Sequence, residues 1–238
     1  IERLECFDLI IQQAIHERNE EKFFSQLIKF INDRNKAPGY HLVLNRPNNK
    51  GMTILRAVAR HQGENAFGFM ITKSNPAELC QELISGGGHK HWTVLHVAAS
   101  YQGPLSFKRF FNVLINLRQP DVLAQGLLAC NSYGSSALSL IVHRQSGAVI
   151  LSALVLVDAD MLYQAFLFSG KISMNKEEIM FFMESVEMAL EKIQNNSNLS
   201  SAVLEKLNVC MCKFEVDLIE CSEDDDFKEI NKYIVSVK

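Results

Sequence analysis

The chain has 238 residues, 47% of them hydrophobic and 21% charged, with a formal net charge of -3. That balance suits one large domain or one continuous stack with a sizeable core, and it excludes a strong field drawing the whole molecule to nucleic acid or anionic lipid. The longest apolar run, Ala148 to Val157 broken by Ser152, is about half the ~20 residues a membrane-spanning helix needs, so a buried helix is expected there.

Six cysteines, Cys6, Cys80, Cys130, Cys210, Cys212 and Cys221, lack the spacing of a disulfide framework and read as small buried hydrophobes in a reducing compartment. No signal peptide is visible, and the first residue is Ile rather than Met, which reads as a trimmed chain. Residues 1 to 31 carry two helical patterns. Leu4, Phe7, Ile10, Ile11 and Ile15 form one, and Phe23, Phe24, Leu27, Phe30 and Ile31 the other. Asn32 to Asn49, punctuated by Pro38-Gly39 and Pro47, is a connector.

From Thr53 onward the chain repeats. Thr53, Thr93 and Ser136 are each followed nine residues later by a glutamine: Gln62, Gln102 and Gln145. Five residues beyond stand Phe67, Phe107 and Ile150. A second pattern closes each unit: Pro76-x-x-Leu79-x-Gln81, Pro120-x-x-Leu123-x-Gln125, and Ala159-x-x-Leu162-x-Gln164. Thr53 to Thr93 spans 40 residues and Thr93 to Ser136 spans 43. Each unit reads as a helical hairpin with a third short helical segment. Thr or Ser caps the first helix. The alanines of Ala57-Val58-Ala59 and Ala98-Ala99 permit close approach, and Pro76 and Pro120 suit a first turn. One such unit cannot bury its apolar face alone, whereas stacked units can.

After Leu167 the pattern stops. Asn175 with Glu178 resembles a capping box, opening a helix with Ile179, Phe182, Met183, Val186, Leu190 and Ile193. The next helix carries Leu204, Leu207, Met211, Phe214 and Leu218. This seam either closes the end of a stack or zips a homodimer. Ser222 to Asp226 is an acidic, solvated break. The expected architecture is all-α, a helical repeat solenoid of 40–43-residue repeats over residues 49–170, with helical caps over 1–48 and 171–238.

The segment Thr93-Val94-Leu95-His96-Val97-Ala98-Ala99 resembles the ankyrin-repeat motif Thr-Pro-Leu-His-x-Ala-Ala, with Val94 at the proline position. The other copies are more degenerate, with Ile54 and Arg56, or Ala137 and Ser139, at the proline and histidine positions. The units exceed the usual ankyrin length of about 33 residues, which leaves an armadillo-like or HEAT-like stack as the alternative. The stretch from Leu123 to Leu138 is similar to the divergent ankyrin repeats of effectors from intracellular bacteria. That likeness implies a cytoplasmic chain delivered into a host cell by type IV secretion, where it binds a host protein.

The resemblance implies binding through turn tips and the exposed side of each first helix. Carried over by position, the tips offer Lys50, Met52, Lys90, Trp92, Tyr133 and Ser135. The helices offer Arg60, His61, Ser100, Tyr101, His143 and Arg144. Trp92 is either an anchor of the kind binding hot spots favour or packs between neighbouring turns. Lys50, Arg60, Lys90 and Arg144 suggest an acidic partner surface. The same resemblance gives His96 a hydrogen bond within its turn that holds repeats together.

Rival chemistries are weaker. His89 and His91 have no nearby Cys or carboxylate, so no metal or cofactor is expected. Gly86-Gly87-Gly88 lacks the Lys-Ser/Thr of a phosphate loop and reads as a helix stop. Cys210 and Cys212, two apart on a helix, point to different faces. Asp224-Asp225-Asp226 lacks the glycine of a calcium loop. The favoured reading is a non-enzymatic protein-interaction scaffold. The alternative is an enzyme, or its targeting fragment, with a cryptic Cys/His site or a catalytic domain N-terminal to residue 1.

Overall fold

A computed structural model describes residues 2–34, 47–87, 91–166, 176–194 and 201–221. Regular structure among them is helical throughout, in thirteen helices, with only two isolated bridges of extended backbone. The all-α expectation therefore holds. The first two helices are α1 (Glu2–His16) and α2 (Glu20–Arg34), the latter running three residues past the expected Ile31.

Three units of three helices follow, and capping chemistry fixes their starts. Thr53 Oγ1 accepts the Arg56 N–H at 3.3 Å, opening α3 (Ile54–His61), which is followed by α4 (Glu64–Lys73). Asn75 and Glu78 form a reciprocal capping box ahead of α5 (Pro76–Ile84), with proline at the position where a missing N–H is harmless. The second unit comprises α6 (Val94–Tyr101), α7 (Pro104–Asn116) and α8 (Pro120–Leu128). In the third, Ser136 Oγ accepts the Ser139 N–H at 3.0 Å and opens α9 (Ala137–Arg144), followed by α10 (Gly147–Leu156) and α11 (Ala159–Phe166). The third segment of each unit is thus a helix comparable in length to the first. The two periods differ because α7 has 13 residues where α4 has 10. The loop before α8 is one residue longer than its counterpart and the loop after it one shorter, so the loops cancel.

Packing follows the repeat. The first helices lie side by side, α1 on α3, α3 on α6 and α6 on α9. Their contact surfaces are small: Ala57, Ala59, Ala98, Ala99 and Ala137 are buried. The second helices α2, α4 and α7 pack in turn through aromatic rings, with Phe24 against Phe69 at 5.4 Å and Phe67 against Phe110 at 5.2 Å between centroids. Such edge-on pairs add about 0.5–1.5 kcal/mol each beyond burial alone. The third helices α5, α8 and α11 form another contacting series.

The last two helices, α12 (Lys176–Gln194) and α13 (Ser201–Cys221), cover the third unit, α12 packing on α9 and α10 and α13 on α11. Met183, Val186, Ala189, Ile193, Val203, Leu207, Cys210 and Phe214 join the common core. Two residues of the seam expected to zip a dimer, Leu207 and Phe214, are therefore engaged within this chain. Asn175 and the acidic Ser222–Asp226 run lie outside the described residues. No described helix is long and apolar enough to cross a membrane.

Candidate protein-binding site

The turns ahead of the first helices of the first and third units are built by asparagine. Asn48 Oδ1 accepts the N–H groups of Lys50 and Met52, both at 2.9 Å, and Asn131 Oδ1 accepts those of Tyr133 at 2.8 Å and Ser135 at 3.2 Å. The residue before the turn's last position is Gly51 (φ 73°) or Gly134 (φ 80°), a left-handed backbone that glycine adopts without strain. His91 takes that place in the second unit with φ 50°. Lys50 and Tyr133 stand at tips. Met52, Trp92 and Ser135 sit one step lower, at the base, where Met52 O, Trp92 O and Ser135 O each accept a backbone N–H from the incoming strand.

Two different side chains at one repeat position, and a cap residue in the third unit, then tie the turns to neighbouring segments. His96 Nε2 lies 3.1 Å from the Ser135 carbonyl, which only accepts, so this nitrogen carries the proton and donates. Its Nδ1 accepts from the Thr93 hydroxyl at 2.8 Å and the Thr93 N–H at 3.2 Å. Burial drives the ring's pKa down to about 4, so at neutral pH it is uncharged. The first unit substitutes Arg56, which pairs with Glu82 at 2.8 Å and donates to the Ser85 carbonyl and hydroxyl and to Gly51 O. Burial raises the Glu82 carboxyl despite that guanidinium. In the third unit the cap residue Ser136 donates to Ala165 O.

The glutamine landmarks acquire a role that the sequence did not assign. Gln62 Nε2 donates to Ala14 O at 2.7 Å and Glu17 O at 3.0 Å; Gln102 Nε2 to Ala59 O at 2.7 Å and Gln62 O at 3.1 Å; Gln145 Nε2 to Ala99 O at 2.7 Å and Gln102 O at 3.4 Å. Each glutamine closes the orphan carbonyls at the end of the preceding first helix. Lys192 continues the ladder, donating to Val142 O, His143 O and Gln145 O, while Lys206 does the same for Leu154, Val155 and Val157 at the end of α10. The first helices are cross-linked along one edge.

On that edge the structure gathers part of the expected set. The Arg60 guanidinium lies 5.3 Å from the Tyr101 ring centroid, and the Tyr101 and Trp92 rings are 6.1 Å apart. Trp92 also lies 6.3 Å from the His96 ring. Tyr101 is 47% exposed and Tyr133 50%, and Lys50, Arg60, His61 and Arg144 are exposed. Burial and the neighbouring Arg60 and His16 charges lower the His61 pKa. Met52 and Trp92 are half-buried against the core, and the Trp92 Nε1–H finds no acceptor among the described residues. Ser100 is half-buried too. His89 and Lys90 lie outside the described residues.

His143 turns away from this cluster towards α12, its Nε2 3.0 Å from Ser185 Oγ. A histidine beside a serine invites a nucleophile reading, but Ser185 is wholly buried, so no substrate reaches that hydroxyl and the pair joins helix to helix. Cys210 is buried with its thiol pushed up to about 12, whereas Cys212 is exposed. Among the described residues no three His, Cys, Asp or Glu side chains gather as metal ligands would.

Sequence reasoning missed Asn48, Asn131, Lys192 and Lys206. The first two had a readable signal, the spacing Asn-x-x-Gly at 48/51 and 131/134. The lysines had none, because their carbonyl partners lie 47 to 52 residues away in the chain. Compared with family models, with curated proteins and with solved structures, the chain matches none, so its reading rests on its own residues.

Proposed function

We propose that the chain is an ankyrin-like scaffold that binds a protein partner through the turn-and-first-helix edge of its three units. The observation that carries this reading is the exposed Arg60–Tyr101 stack with Trp92 behind it, spanning two consecutive first helices that the glutamine ladder holds in place. Aromatic and arginine anchors contribute most binding energy in protein interfaces, and side chains ordered before docking lose little entropy on it. The ankyrin part is supported by the Thr93/His96 hydrogen bonds and by a left-handed turn residue ahead of each first helix, Gly51, His91 or Gly134. That the partner is a host protein met after secretion rests on the likeness of Leu123–Leu138 to effector repeats.

Arg60→Ala with Tyr101→Ala changes residues at the surface and outside the core, so the melting temperature should move little. Capture of a partner from cell lysate should fall roughly tenfold or more, as loss of a hot spot does. Undiminished capture by the double variant would remove this edge from contention.

A further inference from the structure

The acidic residues of this chain avoid one edge. No Asp or Glu occurs in 47–61, 91–101 or 130–144, which form the turns and first helices of all three units. The same segments expose Lys50, Arg60, His61, His91 and Arg144. Net charge is -3, so the remainder of the molecule is more acidic still, and this band is net positive because it lacks acids rather than because it gathers cations. The acid-free band is bounded on both sides. Glu17 closes it at α1, 2.6 Å from Lys22, and Glu184 of α12 acts on His143 at the other end.

The last two positions of the first helices read Arg60-His61, Ser100-Tyr101 and His143-Arg144. Arg60, Tyr101 and Arg144 therefore succeed one another as cation, aromatic and cation across α3, α6 and α9, with Arg60 one position earlier in its helix than the other two. Packed helices lie ~8–10 Å apart, so two such steps cover roughly 16–20 Å. An extended peptide advances about 3.3 Å per residue and crosses that span in about six residues.

We propose that this edge takes an extended acidic segment of a protein partner, two carboxylates about six residues apart meeting Arg60 and Arg144, with an apolar or aromatic side chain between them against the exposed part of Tyr101, one face of which the Arg60 guanidinium covers. The proposal rests on the partner-binding reading above and supplies its chemistry. Arginine pairs with carboxylate in a two-pronged geometry that lysine lacks. Nucleic acid is the less suited polyanion, because affinity for it grows with the number of phosphates neutralised, and this edge offers few fixed cations on a net-negative chain.

The test is fluorescence anisotropy with a labelled peptide carrying Asp at its first and seventh positions and Phe at its fourth. A scrambled peptide with adjacent acids and a single-stranded RNA of similar length serve as comparators. The spaced peptide should bind tightest, weaken as salt is raised, and lose roughly tenfold or more on Arg60→Glu with Arg144→Glu. Circular dichroism should show that variant folded. Equal binding of the scrambled peptide, tighter binding of the RNA, or an unchanged affinity in the charge-reversed variant would each overturn the proposal. If Arg60 and Arg144 serve only their helix ends, as cations there do, the variant changes the melting temperature and the peptide does not bind. Tyr101-dependent partner capture surviving such a result would leave the scaffold reading intact and remove only its acidic ligand.

Discussion

His96 shows how one residue joins local and distant structure. Its ring closes its own helix cap through Thr93 and reaches Ser135 in the next unit, 39 positions away. Accepting from Thr93 at Nδ1 requires the neutral form, whereas the donation to Ser135 survives protonation, and burial lowers the folded pKa from the usual 6.5 to about 4. A base whose folded value is depressed stabilises the fold above its unfolded pKa, and that contribution disappears as pH falls from 6.5 towards 4. The shift corresponds to about 3 kcal/mol at most. Urea unfolding across that range should show the native chain losing stability steeply and His96→Gln, which does not titrate, losing less. Parallel curves would show that His96 does not carry the acid sensitivity. Sequence marked this histidine through its motif. Arg56, at the equivalent position, gave no comparable sign of its buried Glu82 partner, because the two meet only once α5 folds back over α3.

At the level of elements, the ladder makes unequal demands on its glutamines. Gln102 is satisfied at both ends: its Nε2 donates to two carbonyls and its Oε1 accepts from the Ser106 hydroxyl at 2.9 Å. Gln145 has a long second bond of 3.4 Å, and its Oε1 finds no partner among the described residues. Leaving buried carbonyls unpaired costs about 1–3 kcal/mol. Gln102→Leu should therefore lower unfolding stability by about 2 kcal/mol, and Gln145→Leu by less, since leucine there also removes a buried orphan oxygen. A reversed order in chemical denaturation would count against the ladder. The sequence displayed these glutamines as regular landmarks while leaving their purpose blank. Spacing reveals that a position repeats, but a bond to the neighbouring helix exists only after two helices are side by side.

Across the whole molecule, the units depend on their neighbours and the end is closed by charge. Lys192 and Lys206 each approach three carbonyls at the C-termini of α9 and α10, where the helix dipole favours a cation. Methionine at both positions keeps the stems and removes the charges. In Lys192→Met/Lys206→Met, amides of α12 and α13 should exchange hydrogen clearly faster than in the native chain, while those of α6, two packed layers away, change little. Faster exchange spread evenly over all units would mean that the final helices do not act as a separable cover. Burial of Leu207 and Phe214 on the inner face of α13 decides where these residues point. Their heptad-like spacing alone allowed either a cover or an interface between copies.

Composition, periodicity and capping residues determined on their own that the chain is helical, that three units of 40 and 43 residues follow one another, and where their first helices begin. These features are local: a cap bonds three residues on, and an apolar stripe shows in any window of a few turns. Tertiary structure alone decided that Trp92 sits at the base of its turn, that Tyr101 lies under Arg60, that His143 leaves the exposed edge for Ser185, and that lysines finish what the glutamines begin. Apart from the turn of Trp92, each of those contacts joins residues on different helices, and their distance in space is set by packing, which no spacing along the chain encodes.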